Sequence, residues 1–202
     1  MQGERRQQRG GNAGDQRRLQ IVAVAEDLIA QKGFEGFRVR EVADVVGINI
    51  ATLHYHFPSK EALVAAVVDR IVGRLDQVPP LQESANLDPR THLSRHMGVV
   101  LDQFDDNRQQ FVVLNELNTR AVRDETVCET LAASDIAWRE YLVEILRAGR
   151  DGGHFRADLD PEAAATLVIG FLRSLLFHPA ASADTARRAA DELLRCLTPP
   201  PL

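Results

Sequence analysis

The 202-residue chain has only two cysteines, Cys128 and Cys196, far apart and without C-x-x-C spacing. That scarcity excludes a disulfide framework and argues against a structural zinc site, since both need several cysteines at close spacing. It also points to a reducing compartment, so the expected location is the cytoplasm. Long apolar runs are missing too. The longest, Ala163 to Leu172, falls well short of the ~18–20 residues that span a bilayer, so no membrane partner is expected. Arg5, Arg6 and Arg9 are followed by glycine and polar residues, not by the apolar core of a secretory leader. No segment alternates apolar and polar residues between hairpin turns, and no internal repeat is present. Catalytic signatures are absent as well. Gly10, Gly11 and Gly14 lack the strand and lysine of a phosphate loop, and no nucleophile elbow, metal set or carboxylate pair stands in a convincing context. Neither an enzyme nor a cofactor is expected.

What is present is an ordinary soluble composition with an uneven charge. Apolar residues make up 45% and charged residues 26%, as in globular proteins. The net charge of −5 is segregated: residues 1–60 carry nine Lys and Arg against seven Asp and Glu, whereas residues 61–202 carry 15 against 22. A basic front on an acidic body suggests that one end alone meets a polyanion.

Residues 1–16, rich in Gln, Gly and Arg, have little to bury and read as a flexible basic arm. From Arg17 onward the pattern is helical. Ile21, Val24, Ala25, Leu28 and Ile29 form one stripe, ended at Lys32-Gly33. Short helices follow at Val39–Val46, stopped by Gly47, and from the cap Asn49 to about Tyr55. Ser59 caps a longer helix from Lys60 to about Leu75, and a proline-marked loop runs from Val78 to Pro89. Further helices are expected at about 90–106, 108–121, 125–151, 161–178 and 184–197, the fourth opened by Asp160-Pro161. The fold class is all-α.

The segment from Val39 to Lys60 carries the most specific pattern. Ala43 is small enough for a close helix crossing, Gly47 tolerates the tight turn, and Val42, Val46, Ile48 and Leu53 can lock both helices onto the first. This is a helix-turn-helix, whose second helix enters the major groove of DNA. Arg40 is the arginine of this unit suited to a bidentate guanine contact, and Ile50 and Ala51 offer only apolar contact, such as to a thymine methyl.

Residues 17–63 resemble the DNA-binding domain of the tetracycline-repressor (TetR) family. The likeness rests on Gly33-Phe34, on Val39-Arg40-Glu41-Val42-Ala43, on Gly47-Ile48-Asn49 and above all on the run Thr52-Leu53-His54-Tyr55-His56-Phe57-Pro58-Ser59-Lys60-Glu61-Ala62-Leu63. The resemblance implies a three-helix DNA-binding domain over 17–63 and an effector-binding and dimerisation domain over 64–202. It implies that Ile50, Ala51, Thr52, His54, Tyr55 and His56 face DNA, with Arg40 beside them, and that Lys60 meets a phosphate. It further implies a transcriptional regulator, a repressor released from a pseudo-palindromic operator by a small-molecule effector. A second reading is a DNA-architectural or protein-partner-responsive helix-turn-helix protein with no such effector. Phe104, Phe111, Asn115, Trp138 and Tyr141 are the expected pocket residues, and Glu116 or Arg120 could select a charged effector.

Two departures from the family pattern matter. Arg38 stands where Thr or Ser commonly caps the second helix, so that cap is expected to be weaker. His54 and His56 stand where tyrosines are common, and since imidazole changes charge near neutrality, DNA affinity is expected to rise on mild acidification. In the C-terminal part, the helix at 161–178 is apolar nearly all round, so one face is expected to meet a second subunit, with 184–197 as its partner helix in a homodimer. His92 and His96 have the i, i+4 spacing of metal ligands, but nothing near them completes a set, so they are expected as exposed or half-buried polar residues. Cys128 lacks a close basic neighbour and is not expected to act as a redox switch.

Overall fold

A computed structural model describes residues 2–75, 87–175, 177 and 182–199, with side chains from residue 14 onward. Most of the proline-marked loop, the side chains of Arg5, Arg6 and Arg9, and positions 176 and 178 of the expected 161–178 helix lie outside the described residues. Among the described residues there is no strand. The helices are α1 (Gln2–Gly36), α2 (Val39–Val46), α3 (Ile50–His56), α4 (Lys60–Leu75), α5 (Pro89–Asp106), α6 (Arg108–Ala121), α7 (Glu125–Asp151), α8 (Pro161–Ser174) and α9 (Ala183–Leu197). Among the described residues no helix is long and apolar enough to cross a membrane.

The segment expected as a flexible basic arm has helical backbone. From Gln2 the chain is already part of α1. Extending an existing helix adds a hydrogen bond per residue without a new nucleation cost, and Gln and Arg are good helix formers. The other end of α1 behaves as its glycine predicts: Gly33 is non-helical, with φ 67° and ψ 172°, and breaks the helix before a final turn.

The chain forms two compact units, one of residues 1–71 and 112–131, the other of 72–111 and 132–202. In the first unit the α1 stripe of Ile21, Ala25 and Ile29 is fully buried, together with Val42 of α2, Leu53 of α3 and Leu63, Val67 and Ile71 of α4. Ala43 is buried as well, and its small side chain suits the close approach of α2. Glu26 is buried in this unit and accepts from Arg70 Nε at 3.1 Å, so its charge is paired.

The core of the second unit is built from Leu93, Met97 and Phe104 of α5, Leu142 and Leu146 of α7, and buried faces of α8 and α9. Asp160 caps α8, accepting from the N–H groups of Glu162 and Ala163, and Pro161 occupies the first turn where no donor is needed. Helix α8 buries Ala164, Ala165, Val168, Ile169 and Leu172. Its other face, with Ala163, Thr166, Leu167 and Gly170, is exposed. Helix α9 buries Ala186, Ala190, Leu194 and Leu197, while its outer face is charged and pairs with itself through Arg188–Asp184 and Arg195–Glu192.

Candidate nucleic-acid interface and interior polar cluster

The helix-turn-helix is assembled by local interactions. Gly47 ends α2 in the left-handed conformation, φ 74° and ψ 38°, and its N–H returns to the carbonyls of Ala43 and Asp44. Asn49 then caps α3 by accepting from the Thr52 N–H at 2.7 Å. Ser59 Oγ caps α4 by accepting from the Ala62 N–H at 3.1 Å. Arg38 gives α2 no side-chain cap. Its guanidinium donates instead to the carbonyls of Glu35 and Phe37 at the end of α1.

With Leu53 buried beneath it, α3 presents its opposite side outward. Ala51, His54 and Tyr55 are exposed, Ile50, Thr52 and His56 are partly exposed, and Arg40 is exposed on α2. Tyr55 is the most open of these, at 86% of its full exposure, and its ring meets that of His56 edge-on at 5.3 Å. Arg18 of α1 stacks over Phe57 at 4.3 Å and donates to the His56 carbonyl, holding the end of α3 in place.

Lys60, expected to meet a phosphate, opens α4 beside the end of α1. Its ammonium lies 4.2 Å from the centre of the Phe34 ring and donates to the carbonyls of Phe34 and Phe37, at 3.5 and 3.4 Å. The end of α1 is rich in unpaired carbonyls, and an aromatic face beside them completes a seat for a cation. Burial there, with Arg38 and Arg120 nearby, lowers its pKa from the ordinary 10.5.

Glu116 and Arg120 also hold the end of α1. Glu116 Oε2 accepts from the Phe34 N–H at 3.2 Å, and Arg120 pairs with Glu35 and with Asp124, at 3.0 Å in the latter case. Arg120 lowers the pKa of Asp124 by donating to it. Both side chains thus help to fix the chain at the break at Gly33.

In the second unit the structure brings four side chains together. His92 and His96 are 0% and 4% exposed, a correction to the expectation that they would be open to solvent. Burial is tolerated because each has a polar partner: His92 Nε2 lies 2.7 Å from the Tyr141 hydroxyl, and Trp138 Nε1–H donates to His96 Nε2 at 2.8 Å. Burial, with the His92 charge beside it, lowers the pKa of His96 to about 4. Of the expected pocket residues, Trp138 and Tyr141 belong to this cluster. Phe104 and Phe111 pair edge-on at 5.2 Å in the core of the same unit. Asn115 falls in the other unit. The i, i+4 spacing of the two histidines on α5 is visible in the sequence, whereas their burial and their ring partners come from the packing of α7. Among the described residues no three His, Cys, Asp or Glu side chains form a group able to hold a metal.

A tight helix pair with a capped, solvent-facing second helix, seated in an all-helical chain, defines a helix-turn-helix DNA-binding protein. Comparison with known proteins specifies which kind. Residues 21–67 match the family described as bacterial regulatory proteins of the tetR family, and residues 89–199 match the BetI-type transcriptional repressor C-terminal domain. The chain belongs to the TetR family; it is a DNA-binding transcriptional regulator and not an enzyme. Members of this family bind operator DNA, respond to small-molecule ligands and dimerise.

Among its relatives, the HTH-type transcriptional repressor KstR2 of Rhodococcus jostii (strain RHA1) is 27% identical over 152 residues, covering 73% of this chain and 72% of that protein. Among solved structures, a TetR-family regulator from Rhodococcus sp. superposes with a TM-score of 0.80 at 24% identity, covering 92% of this chain and all of that one. A regulator from Saccharomonospora viridis in complex with choline gives a TM-score of 0.75 at 24% identity, over 90% of this chain and 96% of the other.

Proposed function

We propose that the protein is a cytoplasmic homodimeric repressor that leaves a pseudo-palindromic operator when a small molecule binds its C-terminal domain. Residues 17–63 are the DNA-binding domain and 64–202 the effector-binding and dimerisation domain. The observation that carries the reading is the exposed side of α3, where Tyr55 stands 86% open in a helix whose opposite side is buried through Leu53. A large aromatic side chain that far out of the core, flanked by His54 and His56, needs a partner surface. In this reading Arg40, Thr52, His54 and Tyr55 provide sequence preference, Ile50 and Ala51 touch methyl groups, and His56 supports the register. Lys60, seated beside Phe34 at the start of α4, meets a phosphate in this reading. Phe104, Phe111, Trp138 and Tyr141, which belong to one unit, remain the proposed effector residues, without Asn115. Dimer contact is assigned to the exposed side of α8, with α9 beside it. Two α3 helices related by a two-fold would then read half-sites about 34 Å apart.

The test is fluorescence anisotropy with the DNA flanking the protein's own gene against shuffled DNA of the same composition. A preference of about a thousand-fold is expected. Arg40→Ala and Tyr55→Ala should each weaken specific binding by roughly 1–3 kcal/mol, a five- to 150-fold loss. Neither change should alter the melting temperature, because both side chains are exposed. Equal affinity for both DNAs across the regions flanking neighbouring genes would sink the proposal.

A further inference from the structure

The indole N–H of Trp138 can only donate, so the atom that receives it, His96 Nε2, carries a lone pair and no proton. Neutral imidazole has one proton, and it must therefore sit on Nδ1. That Nδ1 is buried and has no hydrogen-bond partner among the described residues. His96 is thus held in one tautomer by Trp138 and keeps a buried N–H donor that meets no acceptor among the described residues. An unsatisfied buried donor is costly and uncommon in folded proteins, and a bound group that accepts its proton removes the cost. Leu93, Met97 and Val100 of the same helix are buried as well. Trp138 and Tyr141 pack on this core, stay partly exposed and lie beside the His96 ring, at 6.1 and 5.2 Å between ring centres.

We propose that His96 Nδ1–H is the polar anchor of an effector site beneath Trp138 and Tyr141, and that the effector is an uncharged, mainly apolar molecule presenting a hydrogen-bond-accepting oxygen such as a ketone or ester carbonyl. The proposal rests on the reading of the C-terminal domain as effector-binding and adds the chemical class. An ammonium group brings no acceptor to the N–H. A carboxylate brings one but also a charge, whose burial beside a neutral imidazole is unfavourable. An apolar body replaces water at the partly exposed rings and the buried methyl groups.

The test uses the full-length protein without DNA and four probes on one phenylalkyl frame: benzylacetone, butylbenzene, phenylbutyrate and phenylpropyl-trimethylammonium. Calorimetric titration should show benzylacetone binding about ten-fold more tightly than each of the others, the size of one well-made buried hydrogen bond. His96→Phe, which keeps the ring and removes the N–H, should reduce benzylacetone to the affinity of butylbenzene. On the wild type, the nitrogen-15 resonance of the His96 Nδ1–H should move on addition of benzylacetone and stay in place with butylbenzene, which keeps the test open if His96→Phe fails to fold. No binding of benzylacetone, equal binding of the ketone and the hydrocarbon, preference for either ion, or an unmoved Nδ1 resonance overturns the assignment. Operator binding is measured separately, so loss of the effector proposal and loss of the repressor reading are distinguishable.

Discussion

At the scale of single residues, His96 ties the interior to solution pH. Its ordinary pKa of 6.5 is lowered to about 4, first by burial and then by the neighbouring His92. Between those two values the unfolded chain holds more protons than the folded one, so stability rises with pH across that window. Its full contribution is present above about pH 6.5 and is lost as the pH falls toward 4. The shift corresponds to roughly 3 kcal/mol, integrated over the window. Urea denaturation at about pH 7.5 and about pH 5 should therefore show a marked loss of stability at the lower value, and His96→Phe should flatten the dependence. The same slope in that variant would mean that other groups carry it. On the DNA side, the Lys60 ammonium is seated on the carbonyls of Phe34 and Phe37.

At the scale of elements, two glycines do different work. Gly47 links α2 to α3 with φ 74°, and a Cβ there would meet nothing within 4 Å, so the cost of Gly47→Ala is that of the left-handed backbone alone, about 1 kcal/mol. Gly33 has φ 67° and ψ 172°, a region reserved almost wholly for glycine, and its Cβ would lie 2.9 Å from Glu116 Oε2. That carboxylate already accepts the Phe34 N–H, so displacing it also strands a backbone donor. Gly33→Ala should cost about 2–3 kcal/mol and lower the melting temperature more than Gly47→Ala does. The reverse order in thermal denaturation would show that the α1 break is not held as described. The break, with Lys32 paired to Glu41 of α2, ties α1, α2 and α6 within one unit.

At the scale of the whole molecule, charge and exposed apolar surface point to separate duties. The acidic residues outnumber the basic ones 22 to 15 over 61–202, so approach to a polyanion is favoured only through the N-terminal part. The largest open apolar side chain on α8 is Leu167, 60% exposed among Ala163, Thr166 and Gly170. Small neighbours permit close helix approach, whereas the paired charges on the outer side of α9 give that helix less to bury. Leu167→Arg should leave the fold intact, because the side chain is already in solvent, and convert the protein to a monomer by sedimentation equilibrium. The monomer should bind operator DNA with about half the wild-type slope of affinity on salt, having half the phosphate contacts. A dimer that survives Leu167→Arg would move the interface away from this face of α8.

Much of this could be read from the sequence because it is local. The caps Asn49, Ser59 and Asp160, the turn at Gly47 and the breaker at Gly33 depend on neighbours within a few residues and fall where the pattern placed them, whereas α8 stops at Ser174, short of the expected 178. The exposed side of α3 follows from that periodicity once Leu53 is inward. What only the tertiary structure decided depends on residues distant in the chain. Lys60 finds its seat 26 residues back at Phe34, Glu116 reaches 82 residues to the same turn, and His96 meets Trp138 across 42 positions. Burial of His92 and His96 could not be read from their spacing, because a histidine pair at i, i+4 is equally compatible with a wet surface, a metal or a core. The deciding quantity is whether another helix brings a donor such as the Trp138 indole within reach, and helix packing sets that.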